Sequence, residues 1–561
     1  QAPRPVEVDP RRGVAPMTPE RLLAHFDRIS DAPDAVPRLR QFILDLAVRG
    51  KLAEQDPRDE PASELLKRIQ AEKSRLVKEG KIRKQQSLLQ IEPDQVPFDI
   101  PAKWEWTRLG EIGLTQTGTT PSKNHGNHFG SHIPFIKPGD LYPNNVDYSN
   151  EGLSETGLKE SGRIASVGSL LMVCIGTIGK CQLIDRDCSF NQQINSLSPY
   201  GRLCSRYLVA ACLSEYFQKS AWAASSRTTI AILNKGKWEL LLLPLPPLAE
   251  QHRIVAKVDE LMALCDRLEA AQAERENRRD RLTGASLNRL NQPDDDPSAF
   301  QDHARFYFDH LPRLTTKPDH IKQLRQTILN LAVRGRLVAQ DLSETVGNSI
   351  PEIRPQSEAY DAPENWRWTE FGEVAAISGG FAFKSGDYAP SGVFVLRVTN
   401  IEPSGVITKS DAVFLPKEKV SSEIERFYLT AGDILLVMVG GSLGKIGVVT
   451  PDVLPALLNQ NLWRITPANE EVDRHFLKLL IDFIVSFQRK ITHSTHGHLS
   501  REDFRKKSIP LPPLAEQHRI VAKVDELMAL CDRLEAQLTT TQTESRRLLE
   551  AVLHEALAPA V

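Results

Sequence analysis

The side chains best suited to chemistry in this chain are grouped in loops. In the first half, Ser122, Lys123, Asn124, His125, Asn127 and His128 crowd one Gly/Pro-bounded stretch, and Arg227, Thr228 and Thr229 form a second cluster. In the second half, Lys384 and Ser385 follow Phe381 and Phe383; Arg397, Thr399 and Asn400 come next, then His496, His498 and Arg501. Forked and amide side chains on a rigid support match the edges of nucleobases, Arg or Lys against guanine and Asn or Gln against adenine. Each of these residues alone is an ordinary surface residue. The signal is their clustering in loops that differ between two otherwise parallel halves.

Catalytic motifs do not compete with that reading. The sequence holds no Gly-rich dinucleotide or Walker loop. GTIGK (Gly176 to Lys180) and GSLGK (Gly441 to Lys445) are too short, and each is expected to be a turn between buried strands with one exposed Lys. The Pro-Pro-aromatic signature of an amino-methyltransferase is missing, because both Pro-Pro pairs open helices. His493, His496 and His498 lie among Ser, Thr and Gly, which suits a polar contact loop better than a metal site. Cys174, Cys181 and Cys188 are too widely spaced for a zinc knuckle and are expected to be small hydrophobes in buried strands.

The bulk composition sets bounds. At 561 residues, 41% hydrophobic and 25% charged, the chain has room for several globular domains. It has no run of about eighteen apolar residues, so no membrane partner is expected, and a reducing, cytoplasmic setting is. Gln1 to Pro16 lacks the apolar core of a signal peptide; a disordered tail with the natural start at Met17 is expected. A net charge of −2 argues against non-specific coating of nucleic acid, but permits binding by segregated charge.

The elements that must carry the loops are duplicated. PLPPLAEQHRIVAKVDELMALCDRLEA occurs at Pro244 to Ala270 and again, unchanged, at Pro510 to Ala536. The Pro-Pro pair suits a helix N-terminus. Ile254, Val258, Leu261, Cys265 and Leu268, matched by Ile520, Val524, Leu527, Cys531 and Leu534, alternate spacings of four and three, the seam of a coiled coil. These seam residues are the expected helix-pair or partner interface. A second repeat pairs PDAVPRLRQFILDLAVRGKL (Pro33 to Leu52) with PDHIKQLRQTILNLAVRGRL (Pro318 to Leu337), each a short amphipathic helix ending at Gly50 or Gly335. PAKWEWTRLGEI (Pro101 to Ile112) and PENWRWTEFGEV (Pro363 to Val374) mark two domain entrances.

Between entrance and long helix, β-branched runs and Gly-rich turns predict mixed β-rich domains. They agree only in skeleton: GSLLMVCIGTIGK with GDILLVMVGGSLGK, and FNQQINSLSP (Phe190 to Pro199) with LNQNLWRITP (Leu458 to Pro467). Ser63 to Gln86, dense in Lys and Arg, breaks the symmetry as an extra helix, either a solvated face or a docking or phosphate-contacting arm.

The expected architecture is α+β with a pseudo-two-fold internal repeat and long antiparallel coiled-coil helices. The divisions are 1–100 (tail, amphipathic helix and basic arm), 101–243 (first variable domain), 244–362 (central helices and linker), 363–509 (second variable domain) and 510–561 (distal helix). The first short helix is expected to pair with the last long helix, and the second short helix with the middle one.

From about Met17 onward the chain resembles the specificity (S) subunit of type I restriction-modification enzymes. The match rests on the two LAVRG-[KR]-L helices, the W-x-W entrances, GGFAFKSGDY (Gly379 to Tyr388) and, most specifically, both PLPPLAEQHRIVAKVDEL segments. The resemblance implies two target-recognition domains, each reading half of a bipartite double-stranded DNA sequence in the major groove, with the conserved helices as a spacer. It implies two methyltransferase (M) subunits and, for cleavage in phage defence, restriction (R) subunits. No cofactor belongs to this chain; S-adenosylmethionine, ATP and Mg belong to the partners, which also flip the target adenine. A helix from Pro247 to about Asn288 is roughly 60 Å long at about 1.5 Å per residue, against roughly 34 Å for one DNA turn. The rival expectation is a coiled-coil scaffold whose variable domains bind proteins.

Overall fold

The computed structural model describes residues 32, 34–83, 88, 90–122, 127–161, 163–227, 230–292, 297–354, 362–488 and 500–557. The chain divides into two compact units, residues 1–274 with 541–561, and residues 275–540. Two 44-residue helices, Leu248–Asn291 and Leu514–Leu557, each begin in one unit and end in the other. No described helix is long and apolar enough to cross a membrane.

Each unit has one construction. In the first, the short helix Ala35–Val48 buries Val36, Ile43, Leu44, Ala47 and Val48. These join a core containing the seam residues Ile254, Val258 and Cys265, with Leu261 and Leu268 partly buried against it. In the second, Pro318–Val333 places Ile321, Leu324 and Ile328 in a core with Ile520, Val524, Leu527 and Cys531, and with Leu534 at its margin. Within each unit the seam therefore buries the stripe of a short helix.

The far end of the other long helix closes each unit. Ala32 and Ala35 cluster with Leu549 and Val552, and Arg38 pairs with Glu550 at 3.0 Å. Asn330 Nδ2 donates to Asn291 Oδ1 at 2.8 Å, and Lys317 and His320 approach Asp280. Arg40 meets Asp266 and Glu269 at 2.6 and 3.0 Å; Arg325 meets Asp532 and Glu535 at 2.6 and 3.2 Å. Each short helix is gripped on both sides.

The glycine after each short helix has two jobs. Gly50 and Gly335 have φ of +68° and +69°, and the next amide returns to Leu46 O or Leu331 O at 3.0 Å, a Schellman ending. A Cβ at either position would overlap the ring of Pro101 or Pro363, which opens the W-x-W entrance. The two motifs are thus pressed together in space.

The entrance strand closes the neck of each sheet domain. Glu105–Arg108 pairs antiparallel with Leu242–Leu245, and Arg367–Glu370 with Ser508–Leu511, in the same register: Trp106 opposite Pro244, Trp368 opposite Pro510. Buried polar groups then fasten neck to long helix. Trp104 is 3% exposed and donates its indole N–H to Glu250 Oε2 at 2.9 Å. Burial holds the Glu250 carboxyl above its usual range, against the bonds from Trp104 and Gln55. Gln251 Oε1 accepts the Cys204 N–H at 3.0 Å, and Gln517 Oε1 accepts that of Asp473 at 2.7 Å. Glu516 occupies the corresponding buried place near Asn365. The invariant AEQ of the repeat is therefore a set of internal fasteners.

Each sheet domain is built on a fully apolar strand, Leu170–Val173 or Ile434–Val437. The four-stranded sheets run Gly113–Thr117, Ile194–Pro199, Leu170–Val173, Cys181–Leu183, and Ala375–Gly379, Leu462–Pro467, Ile434–Val437, Ile446–Val448. Side chains alternate across a strand. Leu170 and Met172 therefore face the helical core, while Leu171 and Val173 face a smaller core with Ile136 and Phe190. Ile434 and Leu436, then Leu435 and Val437, divide in the same way. A three-stranded sheet in each domain supplies the second layer.

Two expectations change in detail. The basic helix ends at Lys78 instead of Gln86, because Gly80 takes φ +70° and the Lys81 amide closes on Leu76 O; residues 84–87 lie outside the described residues. Three of its cations are locally matched, Lys67 to Glu64, Arg68 to Glu60 and Arg75 to Glu72 and Glu79. The lysines of GTIGK and GSLGK are half-buried, not exposed: Lys180 donates to Pro138 O at 2.8 Å and Lys445 to Ile401 O at 3.3 Å. The seven cysteines are buried and free, and burial pushes the thiols of Cys174, Cys181 and Cys188 up to about 12.

One matched position differs in chemistry. Asp45, 3% exposed, takes the place that Asn330 holds in the second unit, and its Oδ1 accepts the Tyr216 N–H at 3.3 Å. Burial pushes its carboxyl to about 6; the Tyr216 N–H and Arg49 oppose the rise and Glu215 adds to it. The unfolded carboxyl titrates near 4, so between about pH 4 and pH 6 the folded state holds the extra proton. Stability therefore falls as pH rises through that window. Asp45→Asn removes this loss, and a gain of about 2–3 kcal/mol at pH 7.5 is expected, shrinking to nothing near pH 4. Thermal unfolding of both proteins across that range measures it; a gain independent of pH would contradict the assignment.

Candidate nucleic-acid interface

Sheet register gathers the polar loops at one end of each domain. In the first unit Thr117 lies opposite Asn195, Val173 opposite Ile194, and Ile136 beside Phe190. The loop after Thr117, the Asn191–Gln193 turn and the turn after Val173 therefore share that end. The hairpin of Ser226–Arg227 with Ala231–Ile232 joins them, since Gly176 N–H donates to Ala231 O at 3.0 Å and Leu233 N–H to Cys174 O at 2.8 Å. In the second unit Gly379 lies opposite Trp463, Val437 opposite Leu462, and Leu396 beside Leu458, which brings the corresponding loops together.

The loop passes tightly over the turn. A Cβ on Gly118 would overlap the carbonyls of Phe190 and Asn191, and one on Gly380 the carbonyl of Asn459. Thr119 N–H donates to Phe190 O at 3.1 Å and Phe381 N–H to Leu458 O at 2.9 Å. Beyond this shared crossing the loops differ. Ser122 and Lys384 follow the glycine by the same number of residues, and both are exposed, as is Ser385. Phe381 and Phe383, with ring centroids 5.0 Å apart, anchor the second loop and leave Lys384 and Ser385 outward.

Two candidate residues turn inward. His128 is 2% exposed, with Nδ1 donating to Ser122 O at 3.1 Å and Nε2 3.3 Å from Glu160. It ties the ends of its loop and offers no free edge. Asn400 is fully buried; its Oδ1 accepts the Arg397 N–H at 3.0 Å and its Nδ2 donates to Ser410 O at 2.9 Å. Asp140 does the same in the first unit, accepting the Lys137 N–H at 2.7 Å and Asn150 Nδ2 at 2.8 Å. Both residues shape the turn after a strand.

Arg397 is half-buried, with Nη2 2.6 Å from Asp411 O, and Lys137 holds the corresponding place, 2.5 Å from Glu151. Arg501 is exposed at the start of a short helix capped by Ser500, whose hydroxyl accepts the Asp503 N–H at 3.3 Å. The backbone of Arg227 pairs with Ala231. Lys123, Asn124, His125, Thr228, Thr229, His493, His496 and His498 lie outside the described residues. No His/Cys/Asp/Glu group able to hold a metal ion is found among the described residues.

Sequence reasoning passed over Lys137 and the exposed glutamines Gln192 and Gln460 at the centre of this end. The glutamines were signalled by the N-Q step that both skeleton motifs share.

This architecture, two sheet domains of one plan on shared helices, is that of a modular recognition protein. The family model described as "Type I restriction modification DNA specificity domain" matches residues 101–276 and 363–541, and the chain belongs to that family. The Escherichia coli type I restriction enzyme EcoAI specificity subunit is 30% identical over 567 residues, 93% of this chain and 94% of the relative. The Escherichia coli EcoEI specificity subunit is 27% identical over 574 residues, again 93% and 94%. A solved chain from work on complex assembly and conformational transition of the type I R-M system shares the fold with a TM-score of 0.53 at 20% identity. That likeness covers 83% of this chain and all of the other.

Proposed function

We propose that this chain supplies the DNA sequence specificity of a type I restriction-modification complex, each sheet domain reading one half of a bipartite target. The carrying observation is the contrast at the two sheet ends: matching close crossings at Gly118 and Gly380, different side chains beyond them. A common scaffold with divergent loops suits two readers of different sequence. The family match over both domains and the named specificity subunits of Escherichia coli support the reading.

In this reading the chain itself is not catalytic. Two M subunits methylate adenine with S-adenosylmethionine, and R subunits cleave unmodified DNA with ATP and Mg, in the compartment that holds the DNA. The exposed candidates Ser122, Lys384, Ser385 and Arg501 contact the duplex, together with Arg397 and Arg227. Each 44-residue helix is about 66 Å long, against roughly 34 Å for one turn of DNA.

The test is the methylation pattern directed by the chain when co-expressed with its methyltransferase partner. Two defined sequence blocks separated by a fixed, unread gap are expected. Methylation without a consensus, or a partner complex that needs no DNA sequence, would favour the protein-binding scaffold instead.

A further inference from the structure

The loops that differ between the domains can give each half-site its identity. A residue kept in type and place across both domains must serve something the half-sites share. Among the described residues at the two sheet ends, Gln192 and Gln460 meet that condition. Each is the second residue of an N-Q step, each is exposed, and each follows a strand paired in the same parallel register, Phe190 beside Ile136 and Leu458 beside Leu396.

The turn holds them outward. Asn191 and Asn459 are 7% and 6% exposed, and their Oδ1 atoms accept the N–H of Gln193 at 3.1 Å and of Asn461 at 3.4 Å. This local side-chain bond fixes the backbone around the intervening Gln. The crossing loop then braces the same turn, through the Thr120 hydroxyl on Gln192 Oε1 in one domain and the Gln460 N–H on Phe381 O at 3.0 Å in the other. The result in each domain is an uncharged amide presented from a rigid turn at the centre of the polar end.

We propose that Gln192 and Gln460 are specificity-determining residues that each read an adenine, one in each half-site, through the N6 amino group and N7 in the major groove. The inference rests on the DNA-recognition reading above. A neutral amide has the donor and acceptor pair that adenine's edge requires, whereas phosphate contact is served better by the Lys and Arg of the same end. Thr120 leaves the second lone pair of Gln192 Oε1 for the N6 amino group.

The experiment uses the complex of the full chain with its methyltransferase subunits, carrying Gln192→Leu or Gln460→Leu. Methylation mapping reads both half-sites in the same molecule, so the untouched half reports that the complex is folded. Gln192→Leu is expected to relax one A·T position in the half-site read by the first domain, and Gln460→Leu one in the other. Discrimination at that position should fall about tenfold to a hundredfold. A duplex with 7-deazaadenine there should weaken wild type and leave the variant unaffected. An unchanged consensus would overturn the proposal. So would uniform weakening at every sequence, which marks a backbone contact that carries no sequence information. A wild-type complex with no bipartite consensus would instead remove the DNA-recognition reading itself.

Discussion

Trp104→Ala is expected to take about 4–6 kcal/mol from the first unit. Truncating a buried aromatic costs about 3–5 kcal/mol, and stranding a buried acceptor adds about 1–3 kcal/mol. Trp104 carries both liabilities, since its ring packs in the main core and its N–H is the 2.9 Å partner of Glu250. Protonation of Glu250, already raised by burial, recovers part of the second term. The loss approaches the whole stability of an ordinary domain. Amide exchange should show lost protection at Leu170–Val173, the central strand of that unit, with protection retained at Ile434–Val437. Full protection at Leu170–Val173 would show that Trp104 does not hold the neck. Trp104→Phe keeps most of the packing and should lose roughly half as much.

Exchanging Trp104–Leu243 for the first variable domain of another family member should replace one half of the recognised sequence and leave the other unchanged. The necks make the exchange feasible. Both domains enter and leave through a two-stranded ladder of one register, and both seat against the same buried Glu-Gln pair of the long helix. A graft that preserves the ladder and the Trp–Glu contact keeps the folding interface while changing every loop. Each mismatched base pair costs roughly 1–3 kcal/mol, adding up over well-separated positions. Preference for the original half-site should therefore fall by about a thousandfold or more when three or so positions change.

Much of this was legible in the sequence because it rests on repeated patterns. Identical helices, matching short helices and the W-x-W necks announced a duplicated plan, and the runs LLMV and ILLV announced central strands. The stop of the basic helix was legible too, in Gly80, although the Lys-rich pattern beyond it suggested continuation. What escaped were polar residues whose role depends on which way they turn. Glu250 and Gln251 look like surface residues in the first turn of a helix, yet both are buried because the neck and the domain's own helix supply their partners. His128 and Asn400 have the chemistry of base readers, but local carbonyls and amides claim both. Composition tells what a side chain can bond; only the packed loop decides what it does bond. Gln192 and Gln460 were hidden for the opposite reason, as part of a motif that looked structural because it was repeated.

Under the proposed function, specificity resides in the two sheet ends, one half-site each. The direct measurement is genome-wide methylation mapping in cells expressing the methyltransferase partner with either the wild-type chain or the Trp104–Leu243 exchange. A bipartite consensus is expected in both, with one block replaced, the other block conserved and the unread gap unchanged. A consensus altered in both blocks, or in neither, would contradict it.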